Sequence, residues 1–282
     1  MSAPSVADLL KQATQQLSES SPSARLDAEL LLGHVLGFSR GRLLAERQHQ
    51  PSEAEIEAFE NLLARRINLE PVAYLTGEKA FYDLDFFVDK RVLIPRPETE
   101  LLVERAILQA KARPAPVRIA DIGTGSGAIA ITLAVHLPEA EVSAVDLSPD
   151  ALSVALRNAE RHNVQDQLKL LHGDLTAPLS GSYDLIVSNP PYTIMAEIDE
   201  NVRRHEPHLA LDGGEQGMEV YQRLLAELPS LLKPDGAILL EIGAWQAQLV
   251  RELGQAHFPQ AQITVFQDLA GLDRVVEISL RG

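Results

Sequence analysis

Apolar residues at Val6, Leu9, Leu10, Ala13 and Leu17 recur at helical steps, so the chain is expected to open with a helix carrying one apolar stripe. Ser21-Pro22 reads as the start of a second helix, because serine can cap free amides and proline at the first helical position gives up no needed hydrogen bond. Leu26, Leu30 and Leu31 follow as its apolar face, and Gly37 stops it. Ser52 with Glu55 makes a capping box before a third long helix, expected to bury Ile56, Phe59, Leu63 and Ile67. Residues 1–75 therefore read as a small helical bundle, either a packing module or a partner-recognition module.

From Lys79 to Val88 the pattern changes to Phe81-Tyr82-Asp83-Leu84-Asp85-Phe86-Phe87, an alternation suited to a short hairpin. In Ile94-Pro95-Arg96-Pro97-Glu98-Thr99-Glu100 two prolines hold an extended loop ahead of a helix starting near Glu98. Residues 76–100 thus form a hairpin and linker. Over 101–282 strands alternate with helices: strands at 117–122, 141–146, 168–171, 184–188 and 237–242, helices at 128–136, 149–162 (capped by Ser148), about 219–232 and 246–255. This order predicts an α/β fold with a mostly parallel sheet covered on both faces. The connection between 262–266 and 274–280 is too short for a crossover helix, so these two must pair antiparallel.

Composition removes several classes of function. With 282 residues, 45% of them hydrophobic, one large domain and a small one are expected. The absence of cysteine excludes disulfides, thiolate metal sites and a cysteine nucleophile. A net charge of −15 repels a phosphate backbone, and residues 1–75 hold seven Lys or Arg against ten Asp or Glu, so no direct nucleic-acid binding is expected. No basic start leads into an apolar run, and no window approaches the roughly 20 apolar residues that span a bilayer, so the expected location is cytoplasmic, without membrane contact.

The candidate chemistry lies at the carboxyl ends of the predicted strands. Asp121-Ile122-Gly123-Thr124-Gly125-Ser126-Gly127 turns the first of these strands into a helix, and its glycines let backbone approach a ligand. Asp146 ends the next strand, where a carboxylate can accept both hydroxyls of a ribose. The alternating glycines depart from the pyrophosphate fingerprint, and Asp121 before them would repel a pyrophosphate but suit the cationic amino-acid end of S-adenosylmethionine. Asp174 and Leu175, after the third strand, could meet the adenine, the carboxylate accepting its amine and the leucine touching its face.

Asn189-Pro190-Pro191-Tyr192 follows the fourth strand and so shares the same edge. Methylating a planar amide or arylamine nitrogen requires its delocalised lone pair to be localised and aimed. The Asn189 side-chain oxygen and the Pro190 carbonyl can each accept one hydrogen of an NH2 group, successive prolines preset the carbonyl direction, and Tyr192 offers a flat face for stacking. With a methyl already activated on sulfur, positioning supplies much of the rate and no strong base is required. Asn189, Pro190 and Tyr192 are the expected catalytic residues. No metal is expected: Pro207 separates His205 from His208 and no third ligand lies near. Asp212-Gly213-Gly214 reads as a turn, and the glutamates between 53 and 60 as a solvated helix face.

The chain resembles the peptide chain release factor glutamine methyltransferases, the HemK/PrmC family, over nearly its whole length. The resemblance is carried by Glu70-Pro71-Val72-Ala73-Tyr74-Leu75-Thr76-Gly77, Arg91-Val92-Leu93-Ile94-Pro95-Arg96-Pro97-Glu98-Thr99-Glu100, the glycine turn, Asn189 to Tyr192, and Glu206-Pro207-His208-Leu209-Ala210-Leu211-Asp212-Gly213-Gly214. It implies a Rossmann-like class I methyltransferase sheet behind a small all-helical N-terminal domain that contacts the release factor. It implies S-adenosylmethionine as cofactor, at Gly123 to Gly127, Asp146, Asp174, Leu175 and Asn189, and a glutamine site at Asn189 to Tyr192. Family members often carry an aromatic residue where Leu175 stands and an aspartate where Gln216 stands. The competing readings are an adenine-amine methyltransferase using the same acceptors on a flipped base, a non-catalytic cofactor-binding protein, and a nicotinamide oxidoreductase.

Overall fold

A computed structural model describes residues 3–280, and the chain divides between Glu78 and Lys79 into two compact units. The first is helical, with α1 (Val6–Leu17), α2 (Ala24–Leu36), α3 (Arg40–Ala45), α4 (Glu53–Ile67) and α5 (Val72–Thr76). All five stripe positions of α1 are buried, and the Ser52–Glu55 capping box opens α4 as expected. Phe59 and Leu63 enter the core, whereas Ile56 is partly buried and Ile67, the last residue of α4, is 38% exposed.

Helix α2 departs from expectation. It starts at Ala24, because Ser21 and Ser23 donate their hydroxyls to Asp27, at 2.7 and 2.9 Å, instead of capping helix amides. Buried Asp27 also accepts from Arg66 Nε at 2.7 Å, and buried Glu29 is paired by Arg25 and Arg40. Both carboxylates are thus neutralised on the side that carries Ala28, Leu31 and Leu32 inward, which leaves Leu26 and Leu30 at 39% and 38% exposure. Gly37 ends the helix in the left-handed region, at φ 63°.

The hairpin β1 (Glu78–Phe81) and β2 (Leu84–Phe87) follows. Within the second unit β2 is bound to the main body rather than set apart as a linker. Fully buried Asn158 accepts from the Phe87 amide at 2.7 Å and donates to the Phe87 and Ser126 carbonyls, both at 2.9 Å. One short turn (Pro97–Thr99) leads into α6 (Glu100–Lys111), and then β3 (Arg118–Ile122), α7 (Ala128–His136), β4 (Glu141–Asp146), α8 (Pro149–Arg161), β5 (Leu168–His172) and β6 (Tyr183–Ser188) alternate. The chain continues through α9 (Glu200–His205), α10 (Glu219–Glu227), β7 (Leu232–Glu241), α11 (Ala247–His257), β8 (Gln262–Gln267) and β9 (Asp273–Ser279).

The seven strands lie in the order β5-β4-β3-β6-β7-β9-β8. Strands β3 to β7 are parallel, and β9 runs antiparallel between β7 and β8. Helices α10 and α11 bury Tyr221, Leu224 and Val250 with residues of β3, β6 and β7 in one apolar cluster. The chain leaves β3 toward β4 and β5, then returns to its other side with β6, so the strand order reverses between β3 and β6. Open α/β sheets bind ligands at the carboxyl ends of strands at such a point. The register Ile122↔Ser188 sets Gly123 beside Asn189 there.

Candidate active site

The glycine turn is built from backbone constraints. Gly123, Gly125 and Gly127 all have positive φ, at 78°, 56° and 82°. At Gly127 an added Cβ would also stand 2.7 Å from Ile131 Cδ1, so this glycine serves the close packing of α7. The amides of Gly123 and Thr124 donate to the Val145 carbonyl, and that of Gly127 to Thr124. The Gly125 amide donates to Asp146 Oδ2 at 2.8 Å, while Ser148 N takes Oδ1 at 2.8 Å. A turn that spends its N–H groups in this way has few left for a pyrophosphate, which depends on them.

Beside this turn lies a cavity of about 580 Å³, bordered by Gly123, Gly125, Asp146, Asp174, Leu175 and Asn189 among others. The volume falls within the roughly 300–1,000 Å³ of small-molecule sites. Leu93, from the segment before the prolines, and Leu147, which no motif marked, supply further apolar wall. Asp146 is partly buried, and that burial raises its pKa against the three backbone amides that favour its charged form. Asp174 borders the cavity while pairing with Arg223 at 2.6 Å, and Leu175 holds its place in the left-handed region, at φ 45°.

Four residues expected at the cofactor do not border this cavity. Asp121 is fully buried beneath the turn, where Oδ2 accepts from the Thr124 hydroxyl at 2.6 Å and the Ala130 amide of α7 favours its charged form. Desolvation nonetheless pushes its pKa up to about 7. Its Oδ1, buried at the amino end of α7, has no hydrogen-bond partner among the described residues. Thr124, Ser126 and Gly127 are likewise buried within the turn and its packing.

A second pocket, of about 220 Å³, is bordered by Pro190, Tyr192, Arg96 and Glu241. Asn189, Leu93 and Ala210 border both spaces, and Pro191 faces the larger one. Asn189 Nδ2 donates to Thr99 Oγ1 at 3.2 Å. Tyr192 directs its hydroxyl to Glu241 Oε1 at 3.4 Å, and burial beside that carboxyl pushes the tyrosine up to about 12. The Tyr192 carbonyl is held by buried Gln246, whose Nε2 also donates to Gly217 at 2.7 Å. Glu206, buried, fixes the proline-rich loop by accepting from Arg96 Nη2 at 2.6 Å and Ile94 N at 3.2 Å. Of these supports, Arg96, Thr99 and Glu206 stood in the segments that carried the family resemblance, while Glu241, Gln246 and Asn158 had no sequence signal beyond their elements. His208 bonds the Arg203 carbonyl, and among the described residues no group of His, Cys, Asp and Glu is arranged to hold a metal.

Two family models match: the PrmC N-terminal domain over residues 8–77 and the methyltransferase small domain over residues 97–205. The release factor glutamine methyltransferase of Chlorobaculum tepidum is 44% identical over 96% of this chain and 95% of that one. The chain belongs to this family. The release factor glutamine methyltransferase of Moorella thermoacetica, also 44% identical, covers 89% of each chain. A solved methyltransferase from Pyrococcus furiosus shares the fold at 20% identity, with a TM-score of 0.53 over 79% of this chain and all of that one. In this release factor glutamine methyltransferase family member, Asp146 braces both the glycine turn and the start of α8. Asp146→Ala is therefore expected to weaken S-adenosylhomocysteine binding by about tenfold or more, since each hydrogen bond to a carboxylate contributes roughly 1.5–3 kcal/mol. Calorimetric titration measures this, and unchanged affinity would remove Asp146 from the site.

Proposed function

We propose that this chain methylates the side-chain amide nitrogen of the glutamine in the Gly-Gly-Gln motif of a peptide chain release factor, with S-adenosylmethionine as donor. The observation that carries the reading is the pair of adjoining spaces that share Asn189: one of nucleoside size against the glycine turn, one smaller and bordered by Pro190 and Tyr192. The fit of the larger space to the cofactor rests on its glycine walls, the Asp146 carboxylate and the apolar faces of Leu147 and Leu175. When bound, the cofactor supplies a methyl on a positively charged sulfur that departs as a neutral thioether.

The chain's own residues would hold the acceptor. Asn189 Oδ1 and the Pro190 carbonyl each accept one amide hydrogen, which turns the nitrogen lone pair out of conjugation and toward the larger cavity. As the nitrogen gains the methyl carbon it gives up one hydrogen as a proton, and both acceptors stabilise the charge that develops meanwhile. The Tyr192 ring offers a stacking face for the planar amide. The expected setting is the cytoplasm and the expected partner a protein; among the described residues no helix is long and apolar enough to cross a membrane.

Labelled S-adenosylmethionine, incubated with the enzyme and either purified release factor or unmethylated duplex DNA, tests the reading. Label is expected in the glutamine of the release factor. Label in DNA alone would replace this substrate with an adenine amine, a reading the net charge of −15 disfavours.

A further inference from the structure

A carboxamide has two polar ends. When its NH2 group meets Asn189 Oδ1 and the Pro190 carbonyl, its own carbonyl oxygen, desolvated in the same space, still needs a donor. Four side chains with N–H or O–H groups border the smaller pocket: Arg96, Asn189, Tyr192 and Thr193. Asn189 Nδ2 is directed to Thr99 Oγ1, and the Tyr192 hydroxyl to Glu241 Oε1. Thr193 offers a neutral hydroxyl and Arg96 a guanidinium. The other charged groups at this pocket, Asp199 and Glu241, are acidic, so among the described residues Arg96 is its cation.

The guanidinium is held at one corner. Its Nη2 donates to Glu206 Oε1 at 2.6 Å, and the Glu206 side chain is 2% exposed against 36% for that of Arg96. Glu206 also accepts from Ile94 N at 3.2 Å, so one buried carboxylate anchors both the arginine and the loop that carries it. A guanidinium has five N–H groups in a rigid fork. Among the described residues, Nε and Nη1 of Arg96 make no hydrogen bond, and they stand at the pocket with donors to spare. We propose that Arg96 binds the carbonyl oxygen of the acceptor glutamine, with Glu206 as the residue that positions it.

The inference rests on the methyl-transfer reading of the two adjoining spaces, and it adds a choice between atoms. The oxygen of an amide is more nucleophilic than its nitrogen, because conjugation moves the nitrogen lone pair toward it. A charged donor occupies the oxygen's lone pairs and leaves nitrogen as the atom that meets the methyl. The same donor favours the conjugated amide, so its hold weakens as the nitrogen lone pair turns out. Its contribution therefore lies in binding the glutamine more than in the transition state. An uncovered oxygen can attack instead: an O–C bond forms, the S–C bond breaks with its electron pair staying on the thioether, and a cationic methyl imidate results. Water converts that imidate to a methyl ester and ammonium.

The test uses the full chain, a peptide containing Gly-Gly-Gln and methyl-labelled S-adenosylmethionine, beside calorimetric titration of the peptide into enzyme saturated with S-adenosylhomocysteine. Arg96→Lys keeps a charge to pair with Glu206 but loses the fork. Arg96→Met combined with Glu206→Gln removes both charges and keeps an amide oxygen for Ile94 N, so no carboxylate is left buried without a partner. Both are expected to weaken peptide binding and raise its KM by about tenfold or more, with a smaller change in kcat and with S-adenosylhomocysteine affinity held. In both, part of the transferred label becomes releasable by alkali as methanol, whereas label placed by the parent stays on nitrogen. Parent-like peptide affinity in Arg96→Lys would reduce the arginine to a loop anchor and overturn the proposal, as would an equal loss of S-adenosylhomocysteine affinity. Label that resists alkali in both variants overturns the choice between atoms. Absence of peptide methylation by the parent chain would instead overturn the methyl-transfer reading beneath it.

Discussion

Asn189→Ala is expected to lose at least about two powers of ten in kcat while its affinity for S-adenosylhomocysteine stays near that of the parent, as the removal of one aimed transition-state acceptor does. The asymmetry follows from where the residue sits. Its backbone abuts the glycine turn, the Asn189 carbonyl lying 4.0 Å from where a Gly123 Cβ would be, and alanine keeps that backbone. The side chain is the part that reaches Thr99, and the residue borders both spaces. The substitution therefore removes the oxygen that meets the acceptor and leaves Pro190 as a single acceptor, which can hold the NH2 group but not orient it about the remaining axis. Single-turnover kinetics beside calorimetry separate the two effects. Near-normal turnover would take Asn189 out of the reaction, and a matching collapse of S-adenosylhomocysteine affinity would make it a binding residue only.

The second large effect is expected at Gly213, in a turn that lies outside the motif. A Cβ there would stand 2.7 Å from both the Cα and the carbonyl carbon of Tyr192, and 3.0 Å from Gly217 Cα. These are backbone atoms and cannot rotate aside. The turn is also tied to Thr193, the residue directly after the tetrapeptide, by two hydrogen bonds, from Thr193 N to the Leu211 carbonyl at 3.1 Å and from Gly213 N to the Thr193 carbonyl at 2.9 Å. Gly213→Ala should therefore push Tyr192 and Pro190 out of register with Asn189, at a cost of about 1–3 kcal/mol in urea unfolding and with a fall in kcat larger than any rise in KM. Parent-like stability together with parent-like kcat would show that the turn yields freely and does not back the site.

The contrast between these two positions shows what was legible. Asn189 could be read because its chemistry is local: a strand, then an acceptor pair on a proline-stiffened loop, placed by order alone on the edge that also holds the glycine turn. Gly213 could not, because its function is a distance to residues about twenty positions earlier, and a glycine in a turn looks the same whether or not another backbone presses against it. Asp121 shows a different limit. Its place before the glycines was legible, but its burial and its bond to the Thr124 hydroxyl were not, because a one-letter pattern does not state which side of a strand's end a residue occupies. Leu26 and Leu30 were lost for a related reason. Ion pairs formed by Asp27 and Glu29 with arginines on α2, α3 and α4 decided which face of the helix turned inward.

By itself the sequence determined the helical first unit, the alternating strands and helices of the second, the antiparallel ending, and the shared strand edge of the glycine turn and Asn189. Each of these follows from periodicity, turn chemistry and chain order, which act over a few residues at a time. The tertiary structure alone decided that β9 lies between β7 and β8, that Asn158 binds β2 to the glycine turn, that Thr99 meets Asn189, and that Glu241 meets Tyr192. Those outcomes depend on register between strands distant in sequence and on where a buried polar atom finds its partner, and both are set by the whole packed sheet.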